Sequence, residues 1–169
     1  MVERTGLWVG LLAMTAVACA GPAKTATLDL TQAAHHHDPH DHNHSRGKML
    51  EAFDGKVAAL LTSHLSSKTG NELDVFVEEA GAPRALAVTK LTAAVTGAAE
   101  PHTLTFECAP ADERPAGEKE GTCSHFVAKA PWMTTSDRLR VEAALPLGER
   151  EQRFVWRDFD PKRFAHHEE

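Results

Sequence analysis

From Leu73 onward the chain alternates apolar and polar residues with a period of two. Leu73-Asp74-Val75-Phe76-Val77-Glu78 opens the pattern. Lys90 to Thr96 sets Leu91, Ala93 and Val95 on one face, and His102 to Cys108 sets Leu104, Phe106 and Cys108 against Thr103, Thr105 and Glu107. Cys123 to Lys129 contains His125, Phe126 and Val127. Arg138 to Leu145 sets Leu139, Val141, Ala143 and Leu145 against Arg138, Arg140 and Glu142, and Arg153 to Phe159 carries Phe154 and Trp156. Such alternation predicts strands with one face in a core and one in water.

The stretch before Leu73 reads two ways. Met49, Phe53, Val57, Leu60, Leu61 and Leu65 fall near helical spacing, but Gly55 would cost a continuous helix about 1 kcal/mol relative to Ala. Ser66 to Glu72 is a turn cluster, so a hairpin joining Val57–Leu65 to Leu73–Glu78 is the preferred reading, with a helix as the alternative for the first limb. That makes about seven strands in roughly 110 residues. The expected fold is all-β: an immunoglobulin-like two-sheet β-sandwich spanning 48–164, with 165–169 as a polar tail.

Cys108 and Cys123 flank Ala109 to Gly121, a segment rich in Pro, Gly and charge that reads as an exposed hairpin loop. A disulfide across its base is expected in an oxidising compartment, and closing a loop near 15 residues contributes roughly 3 kcal/mol in the chain-entropy model. The alternative is a thiolate metal or redox pair, which the long spacing and the lack of Cys-x-x-Cys disfavour.

The N-terminal third follows other rules. Gly6 to Val17 is an apolar run of signal-peptide length, preceded by Arg4. Ala16-Val17-Ala18 fits ordinary cleavage and release. The same residues followed by Cys19 resemble a bacterial lipobox, although Ala16 stands where Leu is usual. Three cysteines leave one unpaired in an exported protein, and lipidation of Cys19 removes the odd one. The favoured organisation is a signal peptide over 1–18 and a lipid-anchored tether over 19–47. Anchoring to the periplasmic side of a bacterial membrane follows, and Ala20 after the cysteine points by resemblance to the outer membrane. Gly21 to Ala34 is rich in Ala and Thr, with too few large apolar side chains to offset its ordering entropy.

The chemistry lies in the next ten residues. His35, His36, His37, Asp38, Pro39, His40, Asp41, His42, Asn43 and His44 hold six of the eleven histidines. Neutral imidazole suits zinc, copper and nickel. A catalytic zinc centre needs three fixed ligands, an open position and a supporting shell; Pro39 and the lack of helical spacing predict no such rigidity. The tract is therefore read as binding or buffering divalent transition-metal ions, against the bland alternative of a solvated linker. His64, His102 and His125 are read as ordinary strand histidines. His166 and His167 join the tract only if the chain ends meet.

The net charge of −6 offers no basic stripe, which argues against nucleic acid. No Gly-x-Ser-x-Gly, His-Glu-x-x-His, phosphate-binding glycine loop or dinucleotide fingerprint is present, so a non-enzymatic role is expected.

The His/Asp tract after an export signal, followed by Gly47-Lys48-Met49-Leu50-Glu51, Lys68-Thr69-Gly70, Leu73-Asp74-Val75-Phe76-Val77 and Leu91-Thr92-Ala93-Ala94-Val95, resembles a loose group of exported His-rich bacterial proteins. Some of these are associated with heavy-metal efflux. The resemblance implies an envelope accessory to metal homeostasis, with another envelope or efflux protein as its partner. The rival expectation is an envelope interaction module in which metal binding is incidental.

Overall fold

The computed structural model describes residues 46–168, and within them the chain is all-β. Ten strands follow a short 3-10 turn at Arg46–Lys48: β1 (Leu50–Asp54), β2 (Val57–Leu65), β3 (Glu72–Glu79), β4 (Ala82–Pro83) and β5 (Lys90–Thr96), then β6 (His102–Cys108), β7 (His125–Lys129), β8 (Leu139–Leu147), β9 (Arg150–Phe159) and β10 (Ala165–Glu168). The expected two-sheet, seven-strand sandwich is replaced by one sheet. Its hydrogen-bonded order is β1-β2-β3-β7-β6-β5-β8-β9, with β4 on β3 and β10 on β2. All ladders are antiparallel except β10–β2.

The two ends of this order approach each other, since β1 and β9 are in contact without sharing a ladder. The Trp156 indole on β9 donates to the Ala59 carbonyl of β2 at 2.9 Å, across the seam. The sheet is thus nearly closed into a barrel around one core. Alternate residues of successive strands fill that core: Ala59 and Leu61, Leu73 and Val75, Phe126 and Ala128, and so on to Phe154 and Trp156. One-face alternation is equally the signature of a sandwich half and of a small barrel wall. Only the pairing partners distinguish them, and periodicity carries no information about partners.

β2 is a strand and not a helix. Seven of its residues in a row, Val57 to Ser63, are buried. Burial on both faces erases period-two alternation and leaves an apolar run that fits either element. Gly55, at φ +59°, turns the chain from β1 into β2. β1 and β10 fall where no strand is expected from the sequence, and β10 is built from residues read there as a polar tail.

Two further devices fix the wall. Gly97, at φ +94°, follows β5 so closely packed that a Cβ there would lie 2.1 Å from the Arg138 carbonyl oxygen. Between β5 and β6, Lys90 is opposite Glu107 and donates to it at 2.7 Å. That hydrogen bond and the ammonium charge hold the Glu107 carboxyl below the usual carboxylate range. The pair is exposed, so it marks register more than it adds stability.

Candidate functional site

The residues singled out as metal ligands, His35, His36, His37, Asp38, His40, Asp41, His42 and His44, lie outside the described residues, as does the candidate lipidation residue Cys19.

Cys108 and Cys123 are joined as a disulfide, closing a separation of 15 residues. The Glu118 carboxylate lies close by. These three are the one group of three ligand-type side chains among the described residues whose donor atoms fall within 4.8 Å of one another. With the sulfurs bonded, neither is a thiolate, and the thiolate is the metal ligand. Glu118 is occupied as well. Its buried carboxylate accepts from Arg114 Nη1 at 3.0 Å, and the same guanidinium nitrogen donates to the Thr122 carbonyl at 3.3 Å. The group pins the 109–122 loop. The loop is exposed along most of its length, as the sequence predicts, and it folds back so that Arg114 and Glu118 are half-buried.

The fold-back explains a second cluster. Opposed residues on neighbouring strands project to one face. Phe76 opposes both Leu60 and His125, and Asp74 opposes Thr62 and Val127, so these six share the outer face of β2, β3 and β7. Alternation alone would leave Asp74 and His125 in water, yet both are buried. His125 Nε2 lies 3.1 Å from Asp74 Oδ1, His125 Nδ1 lies 3.1 Å from the Glu113 carbonyl of the loop, and Phe76 stacks on the imidazole at 4.1 Å between ring centroids. Both ring nitrogens are engaged by fixed acceptors. His125 is therefore a strut under the loop, with both ring nitrogens directed at protein oxygens.

A third cluster sits at the edge of β2. There Thr62 Oγ1 donates to the Phe164 carbonyl at 2.5 Å and lies 3.3 Å from His166 Nδ1. Because the hydroxyl hydrogen is committed to Phe164, the contact with His166 is made with Nδ1–H donating to Oγ1. The His166 ring lies 5.7 Å from the His64 ring, centroid to centroid, at an interplanar angle of 54°. By sequence His64 reads as an isolated strand histidine. The parallel β10–β2 pairing is what brings His166 beside it.

A cleft of about 710 Å³ opens where β6 and β7 diverge beyond their two paired positions, Glu107–Val127 and Cys108–Phe126. Two of its three carboxylates are paired, Glu107 with Lys90 and Glu72 with Lys129; the third is Glu113. No arrangement of nucleophile, base and oxyanion donors is found among the described side chains lining it.

No family model, no curated protein and no solved structure matches this chain.

Proposed function

We propose that the chain is an exported, lipid-anchored envelope protein that binds and buffers divalent transition-metal ions through the His35–His44 tract. The observation that carries this reading is ligand density: six imidazoles and two carboxylates within ten residues. Imidazole prefers zinc, nickel and copper, with copper binding most tightly in the intrinsic order. The all-β domain, stiffened by a disulfide and a single core, serves as the folded carrier of that array and as the surface offered to another envelope protein. Cys19 supplies the anchor on the periplasmic side, at the outer membrane. The ions are cargo in this reading, so no open coordination position or activated water is required.

Deletion of residues 35–44 is expected to reduce the number of Zn²⁺ or Cu²⁺ ions bound by the mature chain, measured by isothermal titration calorimetry, while leaving its thermal transition in chelator unchanged. Equal uptake by deleted and parent chains would remove the metal reading. That result would leave the rival, an envelope interaction module whose surfaces bind a partner protein. Protonation competes with metal at each imidazole, so uptake falls as the pH drops below about 6 and is restored on returning to neutrality.

The anchor has its own test. Cys19→Ser is expected to abolish incorporation of labelled fatty acid and to shift the protein from the membrane fraction to the soluble one. Two or more acyl chains give firm partitioning at roughly 0.8 kcal/mol per buried methylene. Retention of the variant in membranes would sink the anchor.

A further inference from the structure

β6 and β7 separate because their ladder runs into a proline. With Glu107 opposite Val127 in antiparallel register, Thr105 falls opposite Lys129, and Thr103 falls opposite Pro131, which has no N–H to donate. The ladder stops before either position. Beyond it, Ala130 N–H donates away from β6, to the Asn71 carbonyl at 2.8 Å.

Bonds on either side of the gap fix where its backbone groups point. Cys108 N–H donates to the Thr89 carbonyl at 2.8 Å, toward β5, and Ala109 N–H donates to the His125 carbonyl at 2.9 Å, toward β7. Successive residues of an antiparallel strand turn their N–H and C=O to opposite neighbours. Thr103, Thr105 and Glu107 therefore face the β7 side, where Glu107 alone of the three has a ladder partner. By the same rule, the Ala130 bond to Asn71 leaves the Lys129 backbone facing the gap. The result is an open strand edge inside the barrel wall, and such edges template the pairing of another strand.

The gap is fixed at both ends. The Cys108–Cys123 disulfide and the Ala109–His125 bond clamp one end. At the other, Trp132 stacks on His102 at 3.9 Å between ring centroids. From Thr103 to Glu107 the edge runs roughly 13 Å at about 3.4 Å per residue, the length of a four- or five-residue strand. Leu104 lines both the cleft and the core, so the opening has an apolar floor. Three carboxylates, Glu72, Glu107 and Glu113, line it against one ammonium, Lys129. Glu113 is exposed and has no ion pair among the described residues.

We propose that this slot accepts an extended segment of a partner protein as an added strand on β6, with apolar side chains toward Leu104 and basic side chains toward Glu107 and Glu113. Backbone pairing to Thr103 and Thr105 supplies the attachment, and charge selects basic segments over acidic ones. The proposal gives the docking role of the domain a place and rests on that part of the proposed function; the histidine tract and the anchor do not enter it.

The test uses the full disulfide-bonded chain in chelator and, as probe, an acetylated and amidated Lys-Val-Lys-Val-Lys peptide, followed by backbone amide NMR. Expected are saturating shifts at Thr103, Thr105 and Lys129. The same peptide N-methylated at alternate amides keeps its charge and loses its donors, and should bind at least tenfold more weakly. A Glu-Val-Glu-Val-Glu peptide should bind at least tenfold more weakly as well. Glu113→Lys changes an exposed side chain, and should weaken the lysine peptide at least threefold with the thermal transition unmoved. Equal binding of the N-methylated and parent peptides overturns strand addition. Saturating shifts confined to another edge, such as β9, overturn the slot and leave the docking role standing. No saturating shift at any residue removes both the slot and the docking of extended partners by the domain.

Discussion

Trp156→Ala is expected to lower the unfolding free energy by roughly 3–5 kcal/mol, the range for removing a large aromatic from a close-packed core. Trp156 is 1% exposed and faces the interior from β9, opposite Val141 of β8. Its indole nitrogen also makes the 2.9 Å bond to Ala59 on β2, which β9 does not reach by strand pairing. The residue therefore fills volume and ties the seam at once. Trp156→Phe separates the two effects: most of the volume stays and the donor goes, so a loss of about 1–2 kcal/mol is expected. Urea unfolding with the disulfide intact measures both. A Phe variant as damaged as the Ala variant would mean that the seam bond, and not the packing, holds the barrel together.

What can be read from the sequence follows from which interactions are local. Strands β5, β6 and β8 announce themselves because one face is wet, and the alternation of Leu91, Ala93 and Val95 or of Leu139, Val141 and Ala143 is unambiguous; β3 is legible because its outer face keeps polar residues in sequence although Asp74 there is buried. The disulfide is legible too, since the expectation that Cys19 is lipidated leaves Cys108 and Cys123 as the pair. β2 is ambiguous because it is covered on both sides. β1 and β10 escape notice because five or fewer residues give too little pattern, and β10 gains its order from β2, about a hundred residues earlier.

The candidate sites divide the same way. The tract is visible as composition and needs no fold to be recognised. The His64–His166 pair needs the parallel addition of the last strand to an edge that β1 leaves uncovered. Burial of Asp74 and His125 depends on where the 109–122 loop folds, and nothing in its Pro, Gly and charge content states that destination.

Asp74→Ala should be nearly as damaging as the loss of Trp156, at roughly 3 kcal/mol, although it removes only a small polar side chain. Its Oδ1 lies 3.1 Å from His125 Nε2 in a place where both residues are buried. Taking away one member of such a pair leaves the other without its partner and without water, which costs more than the net value of the bond. Asp74→Asn keeps an oxygen for His125, and Oδ2 has no hydrogen-bond partner to lose, so a smaller penalty of about 1 kcal/mol is expected. Chemical denaturation ranks the three proteins. Zn²⁺ titration of the same variants distinguishes strut from ligand: the first-ion affinity should be unchanged in Asp74→Asn, because His125 already has acceptors at both nitrogens. A tenfold weaker first ion in that variant would make the Asp74–His125 pair a ligand set and not a strut.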